Sequence, residues 1–305
     1  MKKLDFVIVG TFKSATSTIA FQLQGHPEVN IPSPKDPYIF LKDYCSTLTE
    51  PKGFLEEHHN SSIYDDKLFE QSFDLTKKDS ALCGEATPLY LYKHEEAIKN
   101  LKANNKDMKI IIVLRNPGER AFSNYMHNVK DNYEQRSFSD VIDQYKVTET
   151  DNIHPFFHYI NAGFYFKQVK AYLDSFENVH VIVYEEFSNN PDTVMSAIYD
   201  FLQINNQSHS KKVSRLNKTG KIKNKKLHAF ILQESGVKSI LRPIYRFFIR
   251  DVQKRKRIAE KIKNKNIEKP LINEKDKESI SALYSDDIKK LSNLLNISLD
   301  NIWSK

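Results

Sequence analysis

The chain predicts an α/β fold of three layers, with a central parallel sheet flanked by helices. Two observations lead there. Short apolar runs alternate with helix-like stretches from residue 5 to residue 203, the β-then-α rhythm of a parallel sheet. The runs are continuously apolar, as strands buried on both faces must be. At 305 residues the chain is long enough for one large core, and no clean boundary divides it, so residues 1–305 read as a single domain.

The elements follow in order. Phe6 to Val9 is a β-branched apolar run, giving a strand at 5–9 that Gly10 ends. Thr16, Ser17 and Thr18 lead into Ile19-Ala20-Phe21, the start of a helix at 16–25. Residues 26–37 (HPEVNIPSPKDP) hold four prolines and read as a loop at the mouth of the sheet. A strand at 81–85 and a helix at 93–104 come next. The strand 109–114 ends at Arg115-Asn116-Pro117, where proline fixes its own φ and opens a helix over 117–130. Helices at 137–147 and 162–176, a strand at 179–184 and a helix at 191–203 complete the alternation. Residues 205–224 are rich in Asn, Ser and Lys and read as a mobile lid. Residues 221–270 read as a basic helical insertion, with partial disorder over 254–269.

Two loops carry chemistry. In FVIVGTFKSATSTIAF (6–21), a strand, a tight turn and a helix N-terminus form an anion cradle, where free amides and the helix dipole face a phosphate. It is no Walker A loop: counting from Gly10, the second glycine falls on Ala15 and the lysine on Thr16, while the actual lysine is Lys13. An ATPase or GTPase is disfavoured and a phosphate site stays. In KIIIVLRNPGERAFSNY (109–125), Arg115 stands at the carboxyl end of a strand, where open α/β sheets bind ligands. Ser123 lies about two turns into the next helix, on the side where it could join Arg115 at one anion. Each loop alone fits an ordinary β-turn-α with incidental charges; together they suit a ligand with two separate phosphates.

With these residues in view, the chain resembles the sulfotransferases that use 3′-phosphoadenosine 5′-phosphosulfate, most closely their carbohydrate (heparan-sulfate-type) branch and its bacterial relatives. Arg115, Asn116, Pro117, Glu119, Arg120, Ser123 and Tyr125 match that family's 3′-phosphate motif. KDPYIF (35–40), GEATPLYL (84–91) and NKTGK (217–221) resemble three further family stretches in the same order, and the run from Leu283-Tyr284 to Trp303 resembles its terminal helix and tryptophan. The resemblance implies a P-loop-like fold and an enzyme that moves a sulfuryl group to a carbohydrate or other hydroxyl acceptor. Lys13, Ser14, Ala15, Thr16, Ser17 and Thr18 would hold the 5′-phosphosulfate, with Lys13 neutralising the leaving oxygen. Arg115 and Ser123 would hold the 3′-phosphate, and Lys218, Thr219 and Gly220 would close over it. Asp36 would take the acceptor's proton, with Glu85 in reserve; Tyr38, Glu85 and Thr87 would face the acceptor. Asp36 before Pro37 is equally a turn-capping pattern. Gly163 and Tyr165 either border the adenine or start a helix with core aromatics. The chain departs from the family at Ala15 (glycine there), which fits if its φ stays negative, at Asp36 (glutamate), at Tyr38 (histidine) and at Ala86 (lysine).

The bulk numbers bound the rest. Two cysteines without CxxC spacing suit a reducing cytoplasm, no metal-ligand pattern appears, and no apolar run approaches a membrane span. Asp5 interrupts what a secretory leader would need as its apolar core. From Lys221 to Asn266 stand fifteen Lys plus Arg against three acids, a net +12 that leaves −5 for the rest of a +7 chain. Arg242, Arg246 and Arg250 step by four between apolar residues. That pattern suits a helix lying on an anionic membrane at the inner face or gripping an acidic acceptor, or a core-packed helix with a solvated basic face. Two rival readings stay open: a phosphotransferase of related fold, which would need Mg²⁺, and a non-catalytic basic adaptor for membrane or nucleic acid. Lys13, Arg115 and Ser123 lie outside the basic segment and count against the adaptor, so no nucleic acid is expected.

Overall fold

Five strands, β1 (Phe6–Gly10), β2 (Val29–Asn30), β3 (Leu82–Ala86), β4 (Lys109–Leu114) and β5 (Val179–Val183), make one sheet in the order β2-β3-β1-β4-β5, every adjacent pair parallel. The computed structural model describes residues 2–78, 80–206, 221–222, 267–268 and 271–303. Around the sheet lie α1 (Thr16–Gln24), α2 (Lys42–Ser46), α3 (Lys52–Ser61), α4 (Asp66–Gln71), α5 (Leu89–Tyr92), α6 (His94–Asn104), α7 (Pro117–Lys130) and α8 (Phe138–Thr148). They are followed by α9 (Tyr165–Ser175), α10 (Tyr184–Asn189), α11 (Pro191–Leu202), α12 (Glu274–Leu295) and α13 (Leu299–Trp303).

The two-residue period of a strand divides the core. Val7 and Val9, with Ile110, Ile112, Leu114 and Val183, face α6, α9 and the C-terminal α12 and α13. Phe6 and Ile8, with Ile111, Val113 and Ile182, face α1 and α11. A third cluster joins α7, α8, residues 157–160 and α12 through Phe138, Val141, Ile160, Ile280 and Tyr284. Gly84 sits in register with Phe6, and a Cβ there would come within 2.3 Å of the phenyl ring, so only glycine lets the two strands close.

The three-layer architecture is therefore as expected, and the expected strands and helices are present to within three residues at each end. The helix at 117–130 has both predicted ends: Pro117 opens it, and the Asn116 side chain accepts from the Glu119 amide at 3.0 Å. The Pro-rich loop holds the unforeseen edge strand β2, tied by Asn30 to Asp74.

Chain order places the site. The chain leaves β1 for β2 and β3 on one side, then crosses to β4 and β5 on the other. Order therefore reverses beside β1, and in an open α/β sheet such a reversal marks the carboxyl ends of β1 and β4 as the ligand position. Of the basic segment, Lys221–Ile222 and Ile267–Glu268 are described. These form β6 and β7, an antiparallel pair, and β6 lies beside α7. The expected lid residues Lys218, Thr219 and Gly220, and the basic amphipathic pattern over 223–266, lie outside the described residues.

Candidate active site

The first loop leaves β1 at Gly10, where a Cβ would meet Leu91 Cβ at 2.4 Å. Its turn uses left-handed backbone at Lys13 (φ 64) and Ala15 (φ 65), so the expectation of a negative φ at Ala15 is corrected. Ala15 is the N-cap of α1 and has no side-chain cap; its carbonyl accepts from Thr18 and Ile19. The amides of Ser14, Ala15, Thr16 and Ser17 have no acceptor among the described residues. The Ser14 hydroxyl is fully buried and also lacks a partner. Such orphaned donors fit a bound phosphate.

Lys13 is half-buried, and its amine makes no hydrogen bond or ion pair with a described residue. Burial, then repulsion from Lys130 and Arg115, pushes its pKa down to about 8, against the pull of Asp131. The second loop comes to meet it. Arg115 Nη1 donates to the Lys13 carbonyl at 3.1 Å and Nη2 pairs with Glu119 at 3.2 Å. The guanidinium rests on the Tyr184 ring, 4.7 Å from its centroid, and Nε is buried without a partner. Tyr165 is fully buried and donates its hydroxyl to the Arg115 carbonyl at 3.1 Å; it is a core aromatic that supports the arginine. Arg120, also fully buried, holds the Tyr159 carbonyl and is structural.

Ser123 stands one turn beyond Glu119 on α7, hence on the face that carries Arg115's partner, and its hydroxyl has no partner among the described residues. The next residue on that face is His127, which sequence reasoning passed over. Burial first, then the charge of Lys13, push its pKa down, against the pull of Asp131, whose carboxylate lies 3.1 Å from Nδ1. Stepping by four from Ser123 would have found it. The stripe 119–123–127 thus runs from Arg115 to Lys13.

A third group gathers around Asp36. Asp36 (φ 60) and Tyr38 (φ 59) use left-handed backbone, and Asp36 pairs with Lys35. Burial, and then the charge of Asp36, raises the Tyr38 phenol well above its usual value. Glu85, at the carboxyl end of β3, is fully buried; Thr87 donates to it at 2.8 Å and the Tyr90 hydroxyl faces it. Burial raises the Glu85 pKa to about 7, with Asp36 adding to the rise and Lys35 opposing it. The structure therefore brings Asp36, Tyr38, Glu85 and Thr87 together. Ala86 points the other way, into the apolar cluster under α1. An aromatic run joins this group to α7: Tyr38 meets His154, His154 meets Phe54, Phe54 stacks on Phe156, and Phe156 touches both Phe12 and His127. Among the described residues no cluster of metal-ligating side chains occurs, and no helix is long and apolar enough to cross a membrane.

Comparison with known proteins bears on the family and the fold. A family model described as a sulfotransferase domain matches residues 5–237. The membrane-associated sulfotransferase kil1 of Dictyostelium discoideum is 24% identical, over 66% of this chain and 56% of that protein, so the chain spans little more than half the length of this relative. The crystal structure of a sulfotransferase from Alicyclobacillus acidocaldarius has a TM-score of 0.73 at 24% identity and covers 100% of both chains; it shares the fold.

Proposed function

We propose that this chain, which belongs to the sulfotransferase family and is an enzyme of that family, moves a sulfuryl group from 3′-phosphoadenosine 5′-phosphosulfate to a hydroxyl of a carbohydrate acceptor. The observation that carries the reading is the hydrogen bond from Arg115 to the Lys13 carbonyl. It brings a cradle of unpartnered amides and a bidentate cation to one place from loops about a hundred residues apart.

The donor supplies the sulfuryl group and a phosphate leaving group. The amides and hydroxyls of Ser14 to Thr18 bind the 5′ end, and Arg115 with Ser123 binds the 3′-phosphate. The family resemblance adds Lys218, Thr219 and Gly220 to the residues that serve this phosphate. Lys13 neutralises charge that grows on the leaving oxygen, an interaction stronger in the transition state than before it. Asp36 accepts the hydroxyl proton, with buried Glu85 behind it. Tyr38 and Thr87 help to shape the acceptor side.

The two buried free cysteines suit the cytoplasm. The +12 segment 221–266 is assigned to the anionic inner membrane face, in keeping with the membrane association named for the Dictyostelium relative. The test is transfer from radiolabelled donor to a glycan extract, in the presence of a chelator. Wild type should label product without Mg²⁺. Lys13→Ala should abolish labelling and still bind adenosine 3′,5′-bisphosphate. Labelling by the variant refutes the role of Lys13, and chelator-sensitive turnover favours a phosphotransferase.

A further inference from the structure

We propose that the C-terminal helix is part of the nucleotide site, with Trp303 and Glu185 as positioning residues that set the Arg115 guanidinium for a 3′-phosphate. This rests on the assignment of Arg115 to that phosphate.

Glu185 follows Tyr184, the residue whose ring lies under the guanidinium. One carboxylate oxygen accepts the Asn116 backbone N–H at 3.1 Å; the other accepts the Trp303 indole N–H at 2.9 Å. Asn116 in turn donates its side-chain amide to the Trp303 carbonyl at 2.9 Å and caps the Glu119 amide. Glu119 holds Arg115 Nη2. Tyr165, which takes the Arg115 carbonyl, packs against the indole with ring centroids 6.3 Å apart. Trp303 is thus at most two contacts from each group that fixes Arg115, apart from the Lys13 carbonyl.

The C-terminal end of the chain is itself held firmly. Five residues make too short a helix to stand alone, but Leu299 and Leu291 are fully buried in the core cluster, so α13 docks through α12. From there the indole reaches a carboxylate already committed to the second loop. A guanidinium binds phosphate well only when its N–H fork is aimed. Loosening the carboxylate frees the Arg115–Asn116 turn, and the larger effect falls on the 3′-phosphate. The 5′ cradle is built on the start of α1 and meets this network at the Lys13 carbonyl.

The test compares adenosine 3′,5′-bisphosphate with 5′-AMP by calorimetry on the full chain. Trp303→Phe keeps the ring and removes the N–H; Glu185→Gln keeps the shape and removes the charge. Each should weaken the bisphosphate about tenfold and change 5′-AMP less than about twofold, the scale of one hydrogen bond to a charged group. Equal losses for both ligands, or none for the bisphosphate, overturn the proposal. Should Trp303→Phe fail to fold, Glu185→Gln decides. If wild type shows no preference for the bisphosphate over 5′-AMP, the 3′-phosphate assignment falls, and this inference with it.

Discussion

Lys13 should give the enzyme a basic limb near pH 8. Its ordinary pKa of 10.5 is lowered to about 8, chiefly by burial and then by Lys130 and Arg115. For a depressed lysine the charged form is lost early, as pH rises through the folded value. At pH 7 about nine in ten molecules carry the ammonium; at pH 9 about one in ten do. The profile of kcat/KM for the donor reports the free enzyme, so it should bend near pH 8 and fall about tenfold per unit beyond. Once bound, the donor's negative charges favour the ammonium, and the limb in kcat should sit higher. Lys13→Arg keeps its charge across the range and should lose the limb, at lower overall activity because the guanidinium is bulkier. A wild-type kcat/KM that stays level from pH 7 to 9.5, or a limb that persists in Lys13→Arg, would refute the assignment of Lys13.

Three further outcomes are expected. Asp36→Asn should cut kcat by about a hundredfold or more with bisphosphate affinity unchanged, and Glu85→Gln should cost far less; the reverse order would move the base to Glu85. Arg115→Lys should weaken bisphosphate binding about tenfold or more in titration calorimetry, since an ammonium lacks the fork; equal affinity counts against the site. Ala15→Gly should raise stability to denaturant by up to about 1 kcal/mol, relief of a left-handed alanine set against glycine's extra chain entropy; a loss of stability would show that φ 65 is not strained.

The layers of the fold were legible because the strands are continuously apolar and Pro117 opens the helix after the fourth strand. The short helices between residues 42 and 71 were not, since pieces of five to ten residues take their stability from tertiary contacts. Lys13, Arg115 and Asp36 were visible as residue types in motifs. The left-handed backbone at Lys13, Ala15, Asp36 and Tyr38 was not, because these are not glycines and nothing local demands it. His127 had a signal in its helical step from Ser123. Glu185 had none: its partners, Asn116 and Trp303, are distant in sequence and meet it only in the folded chain.

The pairing of Lys221–Ile222 with Ile267–Glu268 has an evolutionary consequence. A stretch whose two ends leave and return side by side is a cassette. Because those ends are held together, a change of length or charge between them need not disturb the register of β1 and β4. Selection on that stretch is thereby separable from selection on the sheet.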